Sequence, residues 1–315
     1  MYPGDTFTVG KYVGLGGEPG QEQAGLSLLR LRELGGGRPF QVHLYAQWNR
    51  GVPKATRQQI KAVIASGLKV NLALKYVPPA GRNGDIHGFA AWVRQVVSRH
   101  PRVSVWQITN EANVNLTPDS DGGSADPRGA LIEGVKAAAR AARRKQKVGF
   151  NWFYRLDPLN DQAFWSELGA RGGRAFRRSV DYAGVDIYSG TYITPLYNVD
   201  DGGDYEQALR YVRHELMPLA GLGPKVPIYI QETGYPTLDP LLRSEARQAD
   251  ALAEYIRATR GFNVRLLQWF QLTDAKSRLG DGWGVLRPDY SRKPAFCVMR
   301  DATRDRKPGA ACPGL

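Results

Sequence analysis

The sequence predicts an α/β protein, a single-domain (β/α)8 TIM barrel spanning residues 1–315. Three observations carry this. Eight short apolar segments begin near Phe7, Phe40, Val70, Val103, Val148, Tyr182, Ile228 and Val264, between 30 (40 to 70) and 46 (182 to 228) residues apart. Segments with helical periodicity lie between them. The apolar runs, such as Val70 to Leu74 and Ile228 to Ile230, are nearly continuous, which suits strands covered on both faces. Strand and helix alternating through short connections make a parallel sheet with right-handed crossovers. Eight such units in about 300 residues indicate a closed barrel rather than an open doubly wound sheet.

Taken in order, the first strand leads into Gly14-Leu15-Gly16-Gly17, a glycine-rich turn without the GxGxxG frame of a dinucleotide site. Phe89, Trp92, Val93, Val96 and Val97 form the i, i+3, i+4, i+7, i+8 stripe of a helix after the third strand. The fourth strand is followed by Asp119 to Asp126 (DSDGGSAD), which reads as a mobile loop. Tyr205, Leu209, Val212 and Leu216 mark a helix ended by Pro218. Ala249, Leu252, Ala253 and Ile256 mark another, with Gly261 as its stop. The eighth unit is lighter, a long loop from Lys276 to Lys293 and then a short helix from Pro294. No linker or low-complexity tract divides the chain.

Composition narrows the function classes. No apolar run approaches the roughly 18 residues of a membrane span. The start, Met1-Tyr2-Pro3-Gly4-Asp5, lacks the regions of a signal peptide. The protein is therefore either cytoplasmic or secreted with its signal removed, and secretion is the favoured reading. Cys297 and Cys312 are the two cysteines, either a staple for the C-terminal tail or two free thiols. The net charge of +13 raises nucleic acid as a partner, but the basic residues scatter along helices, as at Arg140, Arg143, Arg144, Lys145 and Lys147. No nucleic-acid motif accompanies them, so a solvated basic surface is expected and a polyanionic glycan is the alternative. Oligomeric state is not legible.

In a barrel of this type chemistry collects at the C-terminal ends of the strands. Those ends carry His43, Tyr45 and Trp48 on strand two, Lys75 and Tyr76 on three, Asn110 and Glu111 on four, and Asn151, Trp152 and Tyr154 on five. Strand six gives Asp186 and Tyr188, strand seven Glu232, and strand eight Trp269 and Gln271. Metal chemistry is poorly supplied, because His87, His100 and His214 fall in helical segments and His43 stands alone. No phosphate clamp or nucleophile elbow is present. No metal or cofactor is expected. Paired carboxylates remain, beside aromatic rings and amides suited to a pyranose.

The resemblance follows from these ends. Trp106-Gln107-Ile108-Thr109-Asn110-Glu111-Ala112-Asn113 resembles the Asn-Glu motif of clan A glycoside hydrolases, retaining (β/α)8 enzymes with glutamates on strands four and seven. Ile230-Gln231-Glu232-Thr233-Gly234 resembles their strand-seven motif, and Asp181 to Tyr188 their strand-six motif, whose tyrosine supports the nucleophile. Leu267-Gln268-Trp269-Phe270 and the tail from Gly282 to Asp289 and Lys293 to Phe296 are similar to the usual ending. The likeness covers essentially the whole chain. It departs on strand two, where many members carry an arginine and this chain reads Phe40-Gln41-Val42-His43-Leu44-Tyr45, with His43 as the replacement.

The resemblance implies hydrolysis of a carbohydrate by double displacement, with Glu111 as acid/base and Glu232 as nucleophile. It implies substrate contacts from Asn110 to the sugar 2-hydroxyl, from Tyr188, and from Trp269 as subsite platform, since barrel cores are mostly branched aliphatics. His43, Trp152 and Trp48 are further binding candidates, and Tyr235 and Trp283 are either subsite walls or loop anchors. The competing expectation for the glutamates is salt bridging to arginine. Two rival functions stay open, a transglycosylase using the same intermediate and a barrel that binds glycan without cleaving it.

Overall fold

The computed structural model describes residues 6–10 (backbone), 24–115, 120–155, 157–189, 191, 203–237, 243–274 and 282–304. Eight parallel strands close into a barrel in sequence order. They are β1 (Thr6–Gly10), β2 (Gln41–Gln47), β3 (Lys69–Lys75), β4 (Val105–Ile108), β5 (Lys147–Phe150), β6 (Tyr182–Asp186), β7 (Ile228–Thr233) and β8 (Val264–Phe270). Each begins within two residues of its predicted start. β8 pairs with β1 from Thr6↔Leu266 to Gly10↔Phe270, which shuts the barrel.

Helices cover the outside: α1 (Ala24–Gly35), α2 (Lys54–Ala65), α3 (Ile86–Arg99), α4 (Pro127–Ala141), α5 (Pro158–Ser179), α6 (Gly203–Tyr211), α7 (Met217–Leu219), α8 (Glu245–Ala258) and α9 (Pro294–Thr303). The α3 stripe is seated as predicted, with Phe89, Val93, Val96 and Val97 buried. The helix expected to end at Pro218 runs from α6 through a π turn, Val212–Leu216, into α7 and stops at Leu219, one residue past the proline. The glycine turn at 14–17, part of the loop before Lys293 and Cys312 lie outside the described residues. Cys297, buried on α9, is disulfide-bonded. No helix among the described residues is long and apolar enough to cross a membrane. Arg140, Arg143, Arg144, Lys145 and Lys147 are all exposed and precede or begin β5, at the barrel end away from the strand C-termini.

The barrel interior departs from expectation. Instead of branched aliphatics it holds amides and rings that bond across the axis. Asn71 Nδ2 donates to Gln231 Oε1 (2.6 Å) and to Gln268 Oε1 (3.0 Å). Gln268 Nε2 donates to Gln231 Oε1 (2.8 Å) and His43 Nδ1 (3.0 Å). Gln231 Nε2 reaches Tyr182 Oη (2.7 Å), which donates to the Trp106 carbonyl (3.0 Å). Glycine at 149 makes room for this, because a Cβ there would run into the Tyr182 ring and carbonyl.

The apolar core lies in the other layer, between strands and helices. Trp269 belongs to it. Its ring is fully buried, tilts against Tyr255 of α8 at 6.3 Å, and its Nε1 donates to the Trp283 carbonyl at 3.0 Å. Trp152 is likewise fully buried, edge-on to Trp165 of α5 at 5.8 Å. Truncating a buried tryptophan costs about 3–5 kcal/mol. Trp269→Ala should therefore lower the free energy of unfolding by that much, whereas Phe270→Ala, one residue on and only half-buried, should cost markedly less. Equal losses in chemical melts would contradict this layer assignment.

Candidate active site

β4 delivers Glu111 through an unusual backbone. Thr109 (φ 62°) and Glu111 (φ 49°) are both left-handed, a conformation costly for residues with a Cβ. Neighbouring groups hold it. The Asp121 carboxylate accepts from the backbone N–H of Asn110 (2.8 Å) and of Tyr76 (2.6 Å), and the Asp121 N–H donates to the Asn110 carbonyl (2.8 Å). The segment expected to be a mobile loop is thus tied at buried Asp121 to the ends of β3 and β4. Its Asp-Ser-Asp-Gly-Gly composition signals turns and gives no hint of that tie. Asn151, just beyond β5, accepts the Glu111 N–H on Oδ1 at 2.8 Å and donates from Nδ2 to Asn110 Oδ1 at 3.2 Å. Asn110 Oδ1 also accepts from Gln107 Nε2 (3.0 Å).

β7 delivers Glu232 through a register irregularity against both β6 and β8. Regular alternation would send Gln231 and Glu232 to opposite faces. Here Gln231 bonds inside the barrel while Glu232 reaches its mouth. Tyr45 Oη donates to Glu232 Oε1 at 2.5 Å, and Tyr188 Oη donates to Oε2 at 2.8 Å. Burial first, and then the charge of Glu232, hold both phenols well above their ordinary pKa, so they serve as neutral donors. The carboxylate oxygens of Glu111, Asp186 and Glu232 lie within 4.8 Å of one another. Among the described residues this is the group of acids close enough to share a cation, but Glu232 is already engaged by two phenols and Asp186 by Asn151.

The structure thus brings Glu111, Glu232, Asn110 and Tyr188 together as predicted. His43 stands one layer lower, fully buried, with Nδ1 facing Gln268 and its ring 4.5 Å from that of Tyr45. The strand-two residue that meets Glu232 is Tyr45, two positions on from His43 and so on the same face of β2. Three of the expected binding residues are corrected. Trp269 and Trp152 point into the helix layer, where no ring face remains for a sugar. Trp48 is packed against the Tyr76 ring (5.9 Å, stacked) and the Arg82 guanidinium (4.8 Å), on the α3 side.

Aromatic surface at the mouth comes instead from Phe270, Trp283, Tyr188 and Phe153, which cluster with Val114. Trp283 meets Tyr188 edge-on at 5.4 Å and Phe270 at 5.9 Å. Its loop is held by buried Lys293, whose Nζ donates to Asp274 Oδ1 (2.8 Å), Thr237 Oγ1 (2.9 Å) and the Gly282 carbonyl (3.1 Å). Of the two rings left open between wall and anchor, Trp283 lies in the cluster beside Tyr188. Tyr235 is a buried anchor whose carbonyl accepts from Gln248 on α8.

No protein-family model and no curated protein matches the sequence. Solved structures match its fold. A family 39 glycoside hydrolase from the gut symbiont Bacteroides cellulosilyticus WH2 superposes with a TM-score of 0.66 at 14% identity, over 94% of this chain and 63% of its own. The Bifidobacterium dentium beta-glucuronidase, solved with coumarin-3-O-glucuronide, gives 0.62 at 14% identity, over 98% of this chain and 48% of its own. An apo beta-glucosidase, 1317, gives 0.60 at 17% identity and 93% of each chain. The first two are longer proteins, of which this chain spans about half to two thirds. What this chain shares with these glycoside hydrolases is the barrel fold.

His43 yields a pH prediction. Burial lowers its pKa from 6.5 to about 3, so the folded protein keeps it neutral where the unfolded chain takes up a proton. Its contribution is present in full above pH 6.5 and is lost as pH falls toward 3. The slope is about 1.4 kcal/mol per pH unit. Urea melts across this range should show that slope, and His43→Gln should remove it; an unaltered slope in the variant would place the acid sensitivity elsewhere.

Proposed function

We propose that this protein is a retaining glycoside hydrolase, with residues 1–315 acting as one catalytic domain on an oligo- or polysaccharide. The observation that carries the reading is the approach of the Glu111 and Glu232 oxygens to within 4.8 Å. Retaining enzymes hold their carboxyl groups about 5–5.5 Å apart, while inverting ones need about 6.5–9.5 Å to admit a water. The fold shared with glycoside hydrolases supports the same reading.

Glu232 is the nucleophile. Two phenol hydroxyls donate to its two oxygens, which fixes its rotamer and leaves both oxygens acting as acceptors, the form a nucleophile needs. It attacks the anomeric carbon as the glycosidic C–O bond breaks. Glu111 gives its proton to the departing oxygen, then takes one from the water that cleaves the glycosyl-enzyme ester. Glu111 is the more exposed of the two, on the side from which leaving group and water arrive. The rings of Tyr188 and Phe270 both meet Trp283 edge-on, and the half-buried Phe270 offers the apolar wall against which a sugar C–H face packs. Asn110 remains the candidate partner of the 2-hydroxyl.

The reading is tested by the anomer formed first, followed by NMR during early hydrolysis of a glycan panel containing neutral and acidic sugars. Retention is expected, and an inverted first product would sink the mechanism. The two glutamates should also separate by role. Glu111→Ala should lose about 10²–10⁴-fold on poor leaving groups. With an activated aryl glycoside it should give a burst and then stall, and azide should restore turnover with a glycosyl azide of retained configuration. Glu232→Ala should show no burst, and azide attacking directly should give the opposite anomer. Identical behaviour of the two variants would remove the distinction.

A further inference from the structure

Asp186 has no task in the mechanism just described, yet it lies closer to the barrel axis than solvent can follow. It ends β6 and is fully buried. Asn151 Nδ2 donates to its Oδ2 and the Glu232 backbone N–H is directed at the carboxyl, while buried Oδ1 has no hydrogen-bond partner of full geometry. The titratable groups that face it are Glu232 on β7, Glu111 beyond β4, Tyr45 on β2, Tyr182 and Tyr188 from its own strand and the turn after it, and Tyr205 on α6. The phenols are neutral, and the two glutamates are like-charged whenever ionised. Nothing in that set compensates a negative charge on Asp186.

Asn151 explains why the site holds an acid there at all. Its side-chain amide has two N–H donors and one carbonyl, and all three are used. One N–H goes to Asp186, the other to Asn110 Oδ1, and the carbonyl receives the Glu111 N–H. Removing the Asp186 acceptor frees the amide to rotate, and the left-handed backbone at Glu111 loses its side-chain anchor.

We propose that Asp186 is an uncharged positioning residue, a carboxylic acid whose carbonyl oxygen orients Asn151 and, through it, the backbone of Asn110 and Glu111. The acid proton resides on Oδ1, the oxygen without a hydrogen-bond partner of full geometry. Burial, reinforced by Glu232 and Glu111, drives the Asp186 carboxyl well above the usual carboxylate range. The positioning role rests on Glu111 being the acid/base. The protonation state does not.

Infrared difference spectroscopy of wild type against Asp186→Asn near neutral pH tests the protonation. In the wild-type-minus-variant difference a carboxylic-acid C=O band that shifts in D₂O should remain, the Glu111 acid being common to both. A difference spectrum without that band overturns the proposal. Kinetics test the positioning. Asp186→Ala should lose about 10²-fold in kcat, the cost of misplacing a catalytic group by about 1 Å, with KM little changed. Asp186→Asn keeps a carbonyl for Asn151 and should recover most of that loss. An asparagine variant as impaired as the alanine one, in kcat or in both constants, would overturn the role. If Asp186→Ala does not fold, the infrared comparison and the kcat of Asp186→Asn against wild type still decide. A wild type that shows the acid band but cleaves no glycan would instead sink the glycosidase reading and leave the protonated Asp186 standing.

Discussion

Three carboxyl groups share one corner of this barrel, and most of what surrounds them answers the resulting repulsion. One oxygen from each lies within 4.8 Å of the others, and two unit charges at roughly 5 Å oppose each other by about 3 kcal/mol at an effective dielectric of ~20. Three ionised acids would multiply that. The surroundings divide the burden by giving each acid a different environment. Glu232 accepts from two phenols, Asp186 is sealed from solvent beside both glutamates, and Glu111 sits nearer to solvent. A pair of groups driven to different protonation states by their environments is what acid/base chemistry at neutral pH requires.

Holding the acids there imposes demands on the backbone, and these are met by residues distant in sequence. The left-handed turn at Thr109 and Glu111 is secured by Asp121, eleven residues beyond Asn110, and by Asn151, forty beyond Glu111. Strain of this kind persists only where surrounding structure over-determines it. The irregularity in β7 has the same character, since it aims two successive side chains to the same side of the sheet. Both departures from regular geometry fall at the ends of the two strands that lead to Glu111 and Glu232.

The strands and the two glutamates were legible because apolar periodicity and strand-end motifs are local signals. What failed was the facing of neighbouring residues. Trp269 and Phe270 differ by one position, and in a strand one position exchanges the helix side for the barrel side. The tryptophan looked the better platform by size, and the pleat turned it into core. Tyr45 was within reach of the same logic, since it shares a face with His43, as Tyr188 shares one with Asp186. Asp121 was beyond it. Nothing in a glycine-rich loop announces that its carboxylate will cap two strand ends.

The amide-filled axis bears on how such a sequence can change over time. In an aliphatic interior one methyl group can be exchanged for another with modest loss, and drift proceeds residue by residue. Here Asn71, Gln231 and Gln268 are one another's partners. Replacing any one of them strands a buried polar group on the others, whereas replacing several at once with apolar groups of matched shape can be nearly neutral. Substitutions at these positions are therefore contingent on each other, and homologous barrels should differ there by whole sets or not at all. The floor beneath the mouth therefore evolves as a block.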